Sequence, residues 1–372
     1  MKRENDQRLQ ELKDSGKPIY SISRLDCINR CLQEAYLTYD KEIRGSGNIY
    51  TLLGSKTHDV LEKIVNGEAS ESDLLPAVYK ELEDAELFGF EFPKDMNGED
   101  SIRNGWIADM EHFCKTYKSP KKNLVTEQLF IYKSPNNNIL QGYIDLQIIK
   151  ENNHIDIYDY KTSSLYSGKD ILEHGRQLVI YAMGKEQEGY IVDSINWIFL
   201  KYVEIRFLGY KTAKSKEKTE ISKIIERRKI ASEMEKYIVQ DLSAIGLDDL
   251  DMWPILDEFK SSGGDFSVLP NNLGDNYKIL PYICHYDLTD EIRRECESYI
   301  DETILKWEKM HEDIEFTEFS PRNFYRTQKN GKIVEDTFYC GQLCTYGKTC
   351  KYYRDFLLTR QAAGSDNMDD LF

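Results

Sequence analysis

The sequence predicts an α/β or α+β fold built on a mixed sheet, and three observations carry that prediction. Most of residues 21–118 reads as helical, three strand-like segments then follow in succession, and a further helix leads into one more strand. Helices, a three-strand meander, a helix and a strand in that order imply helices packed on a sheet.

Each element has its own signal. Residues 1–20 are polar and predict a helix or a loose arm. Ser21 supplies an N-cap for a helix running through Cys27, Cys31 and Tyr36 to about Tyr39, before Gly45-Ser46-Gly47 breaks the chain. A second helix from about Tyr50 to Val65 sets Leu52, Leu53, Val60, Leu61 and Ile64 on an apolar face, with His58 near it. Residues 71–118 continue as mostly helix. Leu124–Tyr132, Ile139–Ile149 and Ile155–Lys161 are rich in β-branched and aromatic residues. Turns at 134–138 (Ser-Pro-Asn-Asn-Asn) and 151–153 (Glu-Asn-Asn) separate them. A helix over about Asp170–Lys185 and a strand over Val192–Phe207 complete this part. Lys211 to about Val239 reads as a charged helix with a basic first half: Lys214, Lys216, Lys218, Lys223, Arg227, Arg228 and Lys229. Residues 241–281 have weak periodicity and read as an insertion of undefined structure. Asp290–His311 is a long helix, and the chain ends in the acidic stretch AAGSDNMDDLF.

Composition narrows the function. The 372 residues are enough for a sizeable core, and 40% hydrophobic with 31% charged residues is an ordinary globular balance. A net charge of −16 excludes a generally basic nucleic-acid coat, though not a local basic groove. Apolar runs such as Leu178–Met183 are far too short to span a membrane, and the first residues lack a signal-peptide core. The expectation is an intracellular, cytoplasmic protein with no membrane association. Eight cysteines in a chain this long do not form a secreted disulfide framework. Cys340, Cys344 and Cys350 crowd into eleven residues, and such clustering points to a metal.

Three motifs carry the chemistry: Gly142-Tyr-Ile-Asp145, Asp159-Tyr160-Lys161-Thr162, and Gln177-x-x-x-Tyr181. Asp159 and Lys161 are two apart on a strand and share a face; Gln177 and Tyr181 are four apart on a helix and do likewise. A carboxylate beside an ammonium suits a site that holds a divalent metal and a water. If the hairpin loop centres on Asn152, Asp145 and Asp159 stand opposite each other, close enough to share one ion. A two-residue Asn152-Asn153 turn would send them to opposite faces, and the apolar pattern mildly prefers it. Burial on both faces of the sheet would cancel that preference, so convergence is expected. Acids in mid-strand beside isoleucines are costly to bury without a cation.

These motifs in this order, preceded by Gly54-x-x-x-His58 on a helix, resemble the RecB-type nucleases of the PD-(D/E)xK superfamily. The resemblance covers most of residues 20–210 and returns at the C-terminus. The iron–sulfur-containing subset, AddB and the CRISPR-associated exonucleases, has one cysteine before the core and three after it. Cys31 matches the first by position, and Cys340, Cys344 and Cys350 match the other three. The downstream spacing here is C-x3-C-x5-C, where that subset more often has C-x2-C-x5-C, and Cys27 competes with Cys31 as first ligand.

The resemblance implies a PD-(D/E)xK (restriction-endonuclease-like) core with a mixed sheet, helical flanks, and a cysteine-ligated metal subdomain joining the N- and C-terminal parts. It divides the chain into an N-terminal arm with the first cluster ligand (1–50), a nuclease core (51–210), a helical insertion or flank (211–320), the cysteine segment (321–360) and an acidic tail (361–372). It further implies a metal-dependent DNA exonuclease, acting on single strands or ends in recombination, repair, phage replication or CRISPR adaptation, in a bacterial or phage-infected cell. His58, Asp145, Asp159 and the Tyr160 carbonyl would bind Mg2+ or Mn2+. Lys161 would orient the attacking water or stabilise charge on the phosphate, and Gln177 and Tyr181 would position the strand or support Lys161. Glu127 is a candidate for an outer role. The four cysteines would hold a 4Fe–4S cluster, with structural Zn2+ as the alternative. The basic 211–229 stretch is a candidate DNA surface, and the tail could dock on a replication or repair protein. Two other functions stay open: a catalytically dispensable DNA-binding or scaffold subunit of a helicase–nuclease complex, and a site-specific endonuclease. The chain has no Walker A motif, hence no recognisable ATP motor of its own.

Overall fold

Parallel and antiparallel pairings meet on three successive strands, and this gives the sheet its mixed character. The computed structural model describes residues 6–120, 123–210, 217–312, 321–328 and 330–366. The N-terminal third comprises α1 (Gln7–Asp14), β1 (Ile19–Tyr20), α2 (Ile22–Arg30), α3 (Leu32–Ala35), α4 (Ile49–Val65), α5 (Leu74–Leu87) and α6 (Ser101–Thr116). Next come β2 (Leu124–Lys133), β3 (Ile139–Ile149), β4 (His154–Lys161), α7 (Lys169–Gln187) and β5 (Ile191–Gly209). They are followed by β6 (Thr219–Glu226), α8 (Ile230–Ala244), α9 (Asp249–Ser261), β7 (Tyr277–Tyr286) and α10 (Asp290–Glu312). The short hairpin of β8 (Tyr325–Thr327) and β9 (Ile333–Glu335) and then α11 (Lys351–Asp366) end the described chain.

The β3–β4 hairpin has the register that brings the two acids together. Leu146 pairs with Tyr158 and Ile149 with Ile155, about a loop centred on Asn152. Asn152 (φ 56°) and Asn153 (φ 61°) are left-handed, a conformation that asparagine tolerates better than most residues. Strand β4 runs parallel to β5, with Asp159 beside Trp197 and Lys161 beside Phe199. Helices cover both faces. On one side α2, α7 and α10 bury Leu25, Ile28, Leu178 and Ile300 against Ile155, Ile157 and Trp197. On the other, α4, α5 and α6 bury Leu53, Leu61, Leu74 and Met110 with Leu146 and Leu200. A strand sandwiched this way has no solvent face for its apolar alternation to mark, which removes the preference for the other register.

Three expectations are corrected. The helix through Cys27 and Cys31 breaks at Cys31, whose φ −160° and ψ 108° are extended. The charged segment before Val239 is not one helix: Thr219–Glu226 is a strand antiparallel to β5, and the helix starts at Ile230. Residues 241–281, whose pattern defines no structure, form the end of α8, α9 and the first half of β7, which returns antiparallel to β5. Together β6, α8, α9 and β7 enclose a third core around Val203, Ile205, Met234 and Phe259. The described cations of the basic stretch are largely neutralised within the protein. Lys218 pairs with Asp241, Lys223 with Glu233, and Arg228 and Lys229 with Glu226. Arg227 is buried and donates to the Leu200 carbonyl at 2.7 Å. Lys214, Lys216 and residues 367–372 of the tail lie outside the described residues. Among the described residues no helix is long and apolar enough to cross a membrane.

Candidate active site

The glycines of the motifs make room for the site. A Cβ on Gly142 would meet the Phe130 ring at 2.7 Å, and Phe130 packs edge-on against Tyr181 with centroids 5.1 Å apart. A Cβ on Gly54 would lie 3.3 Å from Thr162 Oγ1, so its absence lets α4 approach the end of β4 and bring His58 in. His58 Nδ1 stands 3.3 Å from Asp145 Oδ2, and that oxygen also accepts the Tyr160 backbone N–H at 2.9 Å. Asp159, 2% exposed, pairs with Lys161 through Oδ2 and Nζ at 2.6 Å. Lys161 Nζ donates to Gln177 Oε1 at 2.9 Å, and Gln177 Nε2 donates to the Tyr181 hydroxyl at 2.6 Å. The structure thus brings His58, Asp145, Asp159, Lys161, Gln177 and Tyr181 into one connected set drawn from α4, β3, β4 and α7.

Electrostatics divides the two acids. Burial pushes the Asp159 carboxyl up, to about 6, and repulsion from Asp145 adds to this against the pull of Lys161. Burial also works against ionised Asp145, but the His58 imidazole, Lys161 and the Tyr160 N–H outweigh it and hold its carboxyl below the usual range. His58 is raised because attraction to Asp145 exceeds the cost of burial, and Lys161 is raised because Asp159 does the same for it. Two facing carboxylates with one lysine leave negative charge that a divalent cation would offset. Their oxygens, an imidazole nitrogen and the Tyr160 carbonyl are donors of the kinds that hold Mg2+ or Mn2+.

Glu127 lies opposite Asp145. The β2–β3 ladder passes from Thr126–Leu146 to Gln128–Ile144 and omits the pair between them. Glu127 has φ 49°, uncommon for a residue with a Cβ, and such local strain clusters at functional sites. Its charge is felt at Tyr181.

The profile of the PD-(D/E)XK nuclease superfamily matches residues 19–258, well over half of the chain. The chain belongs to that superfamily. The match takes in every element that builds the site, from β1 through β6, and the mixed sheet between helices agrees with a PD-(D/E)XK core. Membership makes it a nuclease of the metal-dependent kind, the class that typically uses Mg2+ or Mn2+. No curated protein matches the chain.

The second predicted centre lies apart from the first. Cys31, Cys340, Cys344 and Cys350 line one small cavity, together with Arg322, Tyr339 and Tyr346. Cys27 is buried in the core under α2 and α10 and does not line it. Burial raises the thiols, Cys340 to about 11 and Cys344 to about 12, and the neighbouring thiols add to the shift. Thiolates gathered there would need a cation to stay charged. Among the described residues, however, no group of three or more His, Cys, Asp or Glu side chains is drawn together closely enough to constitute a formed metal site. Cys114, Cys284 and Cys296 take no part in either centre, and none of the cysteines is in a disulfide.

Proposed function

We propose that this nuclease is a metal-dependent DNA exonuclease acting on single strands or free ends, in recombination, repair, phage replication or CRISPR adaptation. The observation that carries the catalytic reading is the chain of contacts Asp159–Lys161–Gln177–Tyr181 set beside the His58–Asp145 pair. His58, Asp145, Asp159 and the Tyr160 carbonyl would hold Mg2+ or Mn2+. Such an ion, held there, would supply Lewis-acid polarisation of the scissile phosphate and a lowered pKa for the attacking water. Lys161 keeps its proton, orients that water and faces the charge that develops on the phosphate oxygens. Gln177 fixes the Lys161 ammonium through its carbonyl and is itself held by Tyr181, so both act as positioning residues. Asp145 keeps its charge through His58 and the Tyr160 N–H and receives the cation in ionised form.

The cysteine cavity supports a second assignment, a 4Fe–4S cluster on Cys31, Cys340, Cys344 and Cys350, with Zn2+ as the alternative. Four thiols around one cavity, from positions some 300 residues apart in the chain, are what a staple between the N- and C-terminal parts requires. The acidic tail is proposed as a docking segment for a replication or repair protein; deleting residues 362–372 without changing any pull-down would exclude it.

The test is incubation of protein purified without oxygen with end-labelled single-stranded, duplex and circular DNA, in Mn2+ or Mg2+, beside Asp145→Ala. The expected result is degradation of linear DNA only, reduced at least about 10³-fold in the variant. Binding without metal-dependent cleavage would replace the exonuclease with a scaffold subunit, and cutting of circular DNA would replace it with an endonuclease.

A further inference from the structure

Strand β5 changes partners at one point along its length. Up to Phe199 it lies beside β4, and from Tyr202 onward β6 takes that edge, while β7 follows the opposite edge. Against β7 the ladder passes from Ile198–Ile283 to Val203–Pro281, so four residues of β5 stand opposite Tyr282 alone. Lys201 lies in this bulge. Bulges re-aim side chains and recur beside active sites, and crevices beyond the carboxyl ends of strands at such switch points hold ligands. Here the strand that ends is β4, whose last residue is Lys161.

A groove opens at this gap. Thr162, Ser163 and Ser164, which follow Lys161 directly, line it with Lys201, and Tyr50 and Phe338 add aromatic surface, Phe338 being 54% exposed. Lys201 is half-buried, and burial lowers its pKa despite the fields of Asp109 and Glu226. Those two acids are engaged elsewhere, Asp109 by Arg228 and Glu226 by Arg228 and Lys229. Among the described residues no carboxylate lies within ion-pair distance of the Lys201 ammonium. A partly desolvated cation without an ion-pair partner, at the edge of a groove lined by the three residues that follow Lys161, is placed to meet an anion.

We propose that Lys201 anchors a backbone phosphate of a single DNA strand lying in this groove, on one side of the phosphate that is cleaved. The inference rests on the nuclease reading and deepens it by naming the strand path. Hydroxyls at 162–164 and exposed aromatic faces suit unpaired bases and a sugar–phosphate backbone better than a closed duplex.

The test measures binding of a fluorescein-labelled 20-nucleotide single strand, and of the matching duplex, in Ca2+ to prevent cleavage. Wild type is compared with K201M and K201R, and a neutral methylphosphonate is placed at one linkage at a time. K201M should weaken single-strand binding about five- to tenfold and reduce the salt slope by about 0.7, with K201R largely restored. One methylphosphonate position should reproduce that loss in wild type and have no further effect in K201M. Equal binding and salt slope in K201M, or the same methylphosphonate profile in both proteins, would overturn the anchor. A loss confined to duplex would overturn the single-strand path. K201Q replaces K201M if the latter lowers the melting temperature. If wild-type protein binds neither DNA, the nuclease reading fails as well; if it binds while K201M matches it, only the anchor fails.

Discussion

The carboxylate–lysine site and the cysteine cavity are both assembled from distant parts of the chain, but they are held by different forces. The first sits on a sheet packed between helices, where Leu25, Ile28, Leu61, Leu178 and Trp197 are at most 1% exposed. Each such side chain contributes roughly 1.5–3 kcal/mol through burial. The second has almost no core of its own: among the described residues beyond 320, only Cys340 and Tyr346 are buried. It is fastened to the N-terminal third mainly by polar bonds. Tyr339 donates to Glu34 at 2.8 Å, Tyr346 to the Ile43 carbonyl at 2.6 Å, and Asn48 Nδ2 to the Leu343 carbonyl at 2.8 Å. Net hydrogen bonds of this kind contribute only about 1 kcal/mol each. The comparison teaches that the catalytic set can persist on burial alone, whereas the cysteine segment needs a further tie.

The largest effect expected from breaking this contrast is that of Cys344→Ser. It should lose the metal proposed for the cysteine cavity, measured by iron and zinc content, and lower stability by about 3 kcal/mol, roughly a 4 °C drop in Tm for a chain of this length. Asp145→Ala should lower Tm less than Cys344→Ser does, because it relieves the repulsion on Asp159 while taking the acceptor from His58 and the Tyr160 N–H. A soluble, metal-free Cys344→Ser protein with wild-type Tm would show that the polar bonds suffice.

A smaller effect follows at histidine 112, on the sheet side of the comparison. His112 accepts from buried Arg227 at 3.2 Å, and burial, with Arg227 adding to it, depresses its pKa from 6.5 to about 4. The unfolded chain therefore takes up a proton below pH 6.5 that the folded protein refuses until about pH 4. Stability is complete above pH 6.5 and falls between the two values by about 2 kcal/mol after allowance for partial exposure. His112→Gln should flatten that part of a pH–Tm profile, and an unchanged slope would remove His112 as the cause.

The smallest effect separates the two regions at their seam. Asn48 caps α4, which carries His58, and also holds the cysteine segment through the Leu343 carbonyl. Asn48→Ala should cost about 1–2 kcal/mol, whereas Asn48→Asp keeps the cap and loses only the donor, recovering about half in denaturant titration. Equal losses in both variants would make the seam bond, and not the cap, the main contribution.

The legible parts of the molecule were those governed by near neighbours in sequence. Asp159 and Lys161 share a face because a strand alternates, but the asparagines at 152 and 153 allowed two hairpin registers, and the apolar pattern could not choose the observed one because both faces of the sheet are covered. The strand at 219–226 was not legible: its Lys and Glu residues read as a charged helix, and it is a strand because β5 offers it an edge. The same holds for β7, whose Pro281 and weak pattern gave no strand signal, and for Lys201, ordinary in sequence and unusual only at the bulge. Glu127 showed no sign of its positive φ.

By itself, then, the sequence determined the element types from α2 to β5 and the two motif faces, because periodicity and turn residues act over a few positions, and its ordered motifs carried the resemblance to a nuclease family. Only the tertiary structure decided the break at Cys31, the gathering of four thiols around one cavity, the paths of β6 and β7 and the half-buried placement of Lys201 at a sheet switch point. Those depend on contacts between segments tens to hundreds of residues apart, where the energy of packing and pairing outweighs local preference.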